Sequence, residues 1–254
     1  MIENMFNNSY LKTPNIPENK VKTELVDYRI SKTALNSLKD LGVCVVFTKK
    51  IDTLYEAVNG HPDMQIHHIK GRTFVCAEEV YDYYKKELKN AEIIKGLSKL
   101  DEKYPYDIAY NAAVVGNNVF HKLKYTDNKM LDYYELSNKK LHNVTQGYTK
   151  CSVCILNKNA IITSDFKIQQ ISNDAGIDSL YFDSKQIRLK GLSNGFVGGI
   201  CGLIVKNKLA VNGDINKLSN GELFLNFCKK HNVEVISLTK EIPEDIGSII
   251  PLTE

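Results

Sequence analysis

The sequence predicts an α/β fold: a closed five-bladed α/β-propeller of ββαβ modules with pseudo-fivefold symmetry. Three observations predict it. Four apolar hairpins recur along the chain, an amphipathic helix follows each, and the two chain ends carry the pieces of a fifth module.

The hairpins read MQIHHI-KGR-TFVCAE, NAAVV-GNN-VFH, SVCIL-NKN-AIIT and GLIV-KNK-LAV. Each is an apolar strand, a three-residue turn built from Gly, Asn, Lys and Arg, and a second apolar strand. Their turn centres, Gly71, Asn117, Lys158 and Asn207, are 46, 41 and 49 residues apart.

The spacing predicts helices over 78–89, about 127–140, 164–176 and 219–232. In the first, Val80, Tyr81, Tyr84 and Leu88 share a face. In the third, Ser164 or Asp165 caps the start, Ile168, Ile171 and Ala175 share a face, and Gly176 ends it. In the fourth, Ser219 is the expected cap and Leu223, Phe224, Phe227 and Cys228 form the apolar face. A short strand follows most helices: AEIIKG, SLYFD and VEVISL.

The N-terminal ELVDYR, SKTALNSLKDLG and VCVVFT make a strand, a helix ending at Gly42 and a strand. The missing strand of that module is expected to be the C-terminal SIIPL, so strands from both chain ends close the ring and remove an exposed sheet edge. A β/α barrel is the rival, but barrels alternate single strands with helices and leave no place for four hairpins.

Length and composition bound the rest. A chain of 254 residues buries about three quarters of its unfolded surface. Residues 1–22 are polar and read as an N-terminal arm, and 23–254 as a single domain. No run approaches the ~20 apolar residues that span a bilayer, and the N-terminus has no apolar signal core. The expectation is a cytoplasmic protein with no membrane partner. Basic residues number 33 against 30 acidic, and the only arginines are Arg29, Arg72 and Arg188. The lysines are spread along the sequence, which reads as a solvated surface and not a nucleic-acid footprint. Oligomeric state is not legible.

Six cysteines in such a chain do not suggest disulfides. Cys151 and Cys154 form a C-x-x-C without a second pair or a nearby His, so they read as structural thiols on opposite sides of a strand. No metal and no cofactor is expected.

This module order resembles the pentein superfamily of guanidino-modifying enzymes. Pro62-Asp63, then a hairpin ending in Cys76-Ala77-Glu78-Glu79, is similar to the dimethylarginine dimethylaminohydrolase branch, and the resemblance runs over about residues 25–254. An uncharacterised bacterial family of the same fold is a further resemblance. The resemblance implies an axial pocket in which carboxylates hold a guanidinium, a Cys attacks it and a His shuttles the proton. Asp63 matches the family's guanidinium-binding aspartate. The family's acidic pair falls near His67 and His68, its third-module acid on Asn111 (with Asp107 four residues earlier), its His on Tyr148, and its nucleophilic Cys near Ser248. With one acid kept and the rest replaced, ordinary arginine-deiminase or dimethylarginine chemistry is disfavoured.

The residues themselves add candidates. His61 and Asp63 lie two apart, as on one face of an extended segment, and such a pair can do acid–base work; a hydrogen-bonded loop is the plainer reading. His67 and His68 are equally readable as strand surface. Tyr148 and Lys150 share a strand face, where Lys150 can meet an anion or act as a base, or be solvated. Gly198 and Gly199 permit either close ligand approach or a tight bend. Asp245 and Ser248, with His61, match a Ser–His–Asp set in composition only. The expected function is binding of a small polar ligand in the axial pocket. The alternatives are a non-catalytic interaction factor, as in the ribosome-associated pentein branch, or a divergent hydrolase or transferase acting on amidino, guanidino or amide groups.

Overall fold

The structure, a computed structural model, describes residues 9–254. Five three-stranded mixed sheets surround one axis. In the second module, β3 (Ile66–Lys70) pairs antiparallel with β4 (Thr73–Cys76), and β4 pairs parallel with β5 (Glu92–Lys95) after helix α3 (Tyr81–Glu87). The same order repeats in β6 (Ala113–Val115), β7 (Asn118–His121), α4 (Asn128–Leu136) and β8 (Lys140–Asn143). It repeats again in β9 (Val153–Asn157), β10 (Ala160–Thr163), α5 (Phe166–Asp174) and β11 (Asp178–Tyr181). The last full module is β12 (Cys201–Val205), β13 (Lys208–Val211), α6 (Gly221–Lys230) and β14 (Glu234–Ser237).

The remaining module joins the chain ends. β1 (Thr23–Val26) pairs parallel with β2 (Cys44–Phe47) across α1 (Lys32–Asp40), and antiparallel with β15 (Ile250–Thr253), Leu25 opposite Ile250. The first strand of each module lines the axis, with β12 against both β9 and β15, and β9 against β6. Inner strands are buried on both faces, so they read as continuous apolar runs such as VCIL, whereas β5, β8 and β14 are exposed at their ends.

Local signals mostly place the helix ends. The Ser31 hydroxyl accepts from the Ala34 N–H and Asp165 accepts from the Ile168 N–H. Gly42 and Gly176 end α1 and α5 at φ 78° and 77°, a region other residues enter at a cost. Two expectations for α6 fail. Its cap is Asn220, because the Ser219 hydroxyl is spent on Gln186 Oε1, and Leu223 is exposed while Phe224, Phe227 and Cys228 are buried. Of the expected arm, residues 1–8 lie outside the described ones. Residues 9–11 run along β15 through Leu11 N–H to Leu252 O, and Leu11 and Val21 are fully buried. No helix among the described residues is long and apolar enough to cross a membrane.

Candidate functional site

The chain enters each inner strand from the same end of the axis, so the residues just before those strands converge. They are Asp63 on the short helix α2 (Pro62–Gln65) before β3, Asn111 before β6, Cys151 before β9, Gly198-Gly199 before β12 and Ser248 before β15. Five equivalent positions of five modules thus supply one cluster.

Asp63 is its centre. Its Oδ2 accepts from the Cys151 thiol at 3.0 Å and lies 3.0 Å from Ser248 Oγ. The Ser248 hydroxyl also lies 2.9 Å from Gly198 O and accepts from Lys150 Nζ at 2.9 Å. Its single proton therefore serves Asp63 or Gly198, one at a time. Asn111 ties the ring together: its Nδ2 donates to Asp63 O at 3.2 Å, and its Oδ1 accepts from the Lys150 and Cys151 N–H groups at 2.8 and 3.3 Å. Asp63, Asn111, Cys151 and Ser248 are all buried, and Ser248 sits at φ 79°, held by its N–H on Gly199 O.

Burial dominates the electrostatics. It raises the Asp63 carboxyl to about 6, against the opposing charge of Lys150 and the donors Cys151, Ser248 and Asn111. Burial and the neighbouring Asp63 also push the Cys151 thiol well up, which favours the protonated sulfur that donates to Asp63. His61, at the start of α2, is held below its usual range by burial, although Asp245, 4.0 Å from its Nδ1, favours the charged form. The carboxylate of Asp245 accepts the Gly247 and Phe196 N–H groups, each at 2.9 Å. Two atoms of this site, Asp63 Oδ1 and His61 Nδ1, are among the ten buried side-chain atoms without a partner among the described residues. Ligand atoms of His61, Asp63 and Cys151 lie within 4.8 Å of one another, so these three could hold a metal ion. The Lys150 ammonium, one hydroxyl away from Asp63, already supplies positive charge there.

The other candidates sit around this centre. Tyr148 turns outward: its hydroxyl donates to Asp107 and accepts from Tyr55 at 3.2 Å. Tyr55 belongs to the loop after β2, and Tyr104 and Phe196 flank Tyr148 at 5.6 and 6.1 Å, so aromatic rings cover this end of the axis. Outside them, Tyr55, Arg29 and Asn59 line a 510 Å³ vestibule. Beneath them, the two cavities beside Lys150 measure only about 10 Å³ each, room for about one water. His67 lies deeper, with its two ring nitrogens on Tyr110 O and the Tyr134 hydroxyl. His68 stacks on Phe74 at 4.4 Å and bonds Gly71 O. Burial drives their pKa values down to about 3 and 4. Gly198 and Gly199 are pressed against backbone and carboxylate: a Cβ on Gly199 would meet Asp245 Oδ1 at 1.9 Å.

Sequence reasoning missed Cys151, taken as a structural thiol. The available signal was its place two residues before an inner strand, the offset of Asn111 and Ser248. Cys154 does face away, packing with Cys201 in a separate apolar cluster.

The fold has known counterparts. The chain belongs to the DUF6873 family, a family of unknown function, whose model matches residues 25–250. No curated protein matches it. Among solved structures, it resembles the inosamine-phosphate amidinotransferase of Streptomyces griseus at 11% identity and TM-score 0.56, over 96% of this chain and 97% of that one. It resembles a C. jejuni agmatine deiminase, a Cys-to-Ser form with substrate bound, at 12% identity and TM-score 0.53, over 92% of each chain. It also resembles the dimethylarginine dimethylaminohydrolase of Pseudomonas aeruginosa, a Cys-to-Ser mutant complexed with citrulline, at 8% identity and TM-score 0.52, over 86% and 92%. These likenesses establish the pentein fold.

Proposed function

We propose that the axial cluster binds a small polar molecule through a neutral amide- or urea-like group, without thiolate chemistry. The observation that carries this is the convergence of Asp63, Ser248, Lys150 and Asn111 on one point, with Asp63 Oδ1 and His61 Nδ1 left unpartnered. Native proteins seldom leave buried polar atoms unpaired, and a ligand is one way to satisfy them. A lone carboxylate beside an ammonium suits a group that both donates and accepts. A guanidinium would gain from Asp63 but meet repulsion from Lys150, whereas a urea can give N–H to Asp63 and its oxygen to Lys150. In support, two of the pentein structures it resembles are described as Cys-to-Ser forms holding citrulline or a substrate, and the resemblance puts the family's nucleophilic Cys near Ser248. Admission requires the Tyr55–Tyr148 contact to part, since the volume beneath it holds about one water.

The test is calorimetric titration with citrulline, arginine and agmatine, together with an ammonia-release assay on each. Citrulline is expected to bind more tightly than arginine, Asp63→Asn to weaken it by at least about tenfold (roughly 1.4 kcal/mol), and no ammonia to appear. Tighter binding of arginine, or of none of the three, would overturn the reading. Ammonia release lost in Ser248→Ala would replace it with a serine-dependent hydrolase.

A further inference from the structure

The opposite end of the axis carries a second feature. All four full modules turn there, and residues 12–18 lie among the turns. Around them opens a cavity of 1240 Å³. Ligand pockets usually run to roughly 300–1000 Å³, so the space is ample for an organic ligand.

Five of the chain's thirty lysines meet here. Lys12, Lys70, Lys139, Lys158 and Lys206 line the cavity, against Glu18 as its one acidic residue. That is an excess of four positive charges on one concavity, in a chain whose total is +3. Three of the five, Lys70, Lys158 and Lys206, come from hairpin turns of three different modules, so the repeat itself places them together. Of these five, only Lys12 has a carboxylate partner among the described residues, Glu18 at 3.5 Å; Lys139 donates to Gly116 O at 2.7 Å. Lys139 is half-buried, and burial and the nearby Lys70 charge both hold its ammonium below its ordinary range. Grouping like charges costs free energy that an anion would return. The floor is apolar, built from Ile16, Ile69, Leu156 and Val233.

We infer that this cavity is a binding site for a small organic anion carrying two or more phosphate groups. Its lysines would meet the phosphates as mobile point charges, and its floor would take the apolar body. Shape argues for a small ligand: the lysines ring a concavity on the axis, with no arginine among them. Its lining shares no residue with the axial cluster, although Asn15 of the 12–18 segment lines the two small cavities beside Lys150.

Calorimetric titration of the full chain with adenosine triphosphate and inorganic tripolyphosphate tests this. Adenosine triphosphate is expected to bind more tightly than tripolyphosphate, and raising salt from about 50 to about 300 mM to weaken both by roughly tenfold. The triple variant Lys70→Glu, Lys158→Glu, Lys206→Glu should lose at least about tenfold in affinity (roughly 1.4 kcal/mol). A control on other surfaces, Lys32→Glu, Lys39→Glu, Lys217→Glu, should bind as the unaltered chain does. Absence of binding by either anion, or equal loss in the control, would overturn the inference. So would single-stranded RNA binding more than about tenfold tighter than adenosine triphosphate, which would make the surface a nucleic-acid one.

Discussion

The two ends of the axis are built from the same repeat and have opposite character. Where the inner strands begin, Asp63, Lys150, Cys151 and Ser248 are buried, hydrogen-bonded to one another and almost without free volume. Where the hairpins turn, lysines stand in or beside a 1240 Å³ space, most without a carboxylate partner. The difference follows from how a ring of tapering modules is filled. At the narrow entry each module contributes one or two residues to a shared point, so any change there strains four neighbours. At the turns each module contributes a loop to solvent, and its side chains are constrained by little besides their own backbone.

The largest break in this comparison should come from Asp63→Ala. It strands the buried Lys150 ammonium and removes the acceptor of Cys151 and Ser248, and denaturant unfolding should show a loss of about 3–5 kcal/mol. A loss below about 1 kcal/mol would mean that the cluster is hydrated and loosely held, erasing the contrast between the ends.

Glycines sharpen it next. Gly199→Ala drives a methyl into Asp245 and should cost about 1–3 kcal/mol or more. At the turn end Gly71, at φ 49° with nothing within 4 Å of a new Cβ, should lose only the about 1 kcal/mol of left-handed backbone strain on Gly71→Ala. Equal losses would show that crowding does not separate the two ends.

A pH-dependent contrast lies between the ends, at His67 on β3. Burial holds its folded pKa at about 3, below the usual 6.5. Between those values the unfolded chain binds the proton and the folded chain does not. Stability from this group is therefore complete above about pH 6.5 and declines as pH falls toward 3, by at most about 1.4 kcal/mol per pH unit. Burial shifts Asp63 the other way: its folded form takes up a proton near pH 6, before the unfolded chain does, which opposes the trend. His67→Phe should accordingly flatten the acid limb of the wild-type stability curve when both are measured by denaturant unfolding across pH 4–7. An unchanged slope would place the acid sensitivity elsewhere.

Much of the architecture was legible because it rests on local rules. The alternation of apolar runs with Gly-, Asn- and Lys-rich turns specified the hairpins, and the apolar SIIPL at the chain end specified the closing strand now paired with β1. Strand β8, KLHN, carries no such signal and was not read, because it is a half-exposed outer strand held by its pairing with β7. Ser219 failed as a cap for the same kind of reason: Gln186, distant in sequence, claims its hydroxyl.

By itself the sequence determined the modules and their order, and its resemblance to the pentein superfamily pointed to Asp63, Asn111 and Ser248 as residues facing the axis. Each of these depends on contacts within a few tens of residues, or on a count along the repeat. Only the tertiary structure decided that Cys151 and Ser248, 88 and 185 positions away, meet on Asp63 with Lys150 on Ser248, that Tyr55 covers Tyr148, and that lysines from separate turns ring one cavity. Ring closure sets those distances, and no local spacing records them.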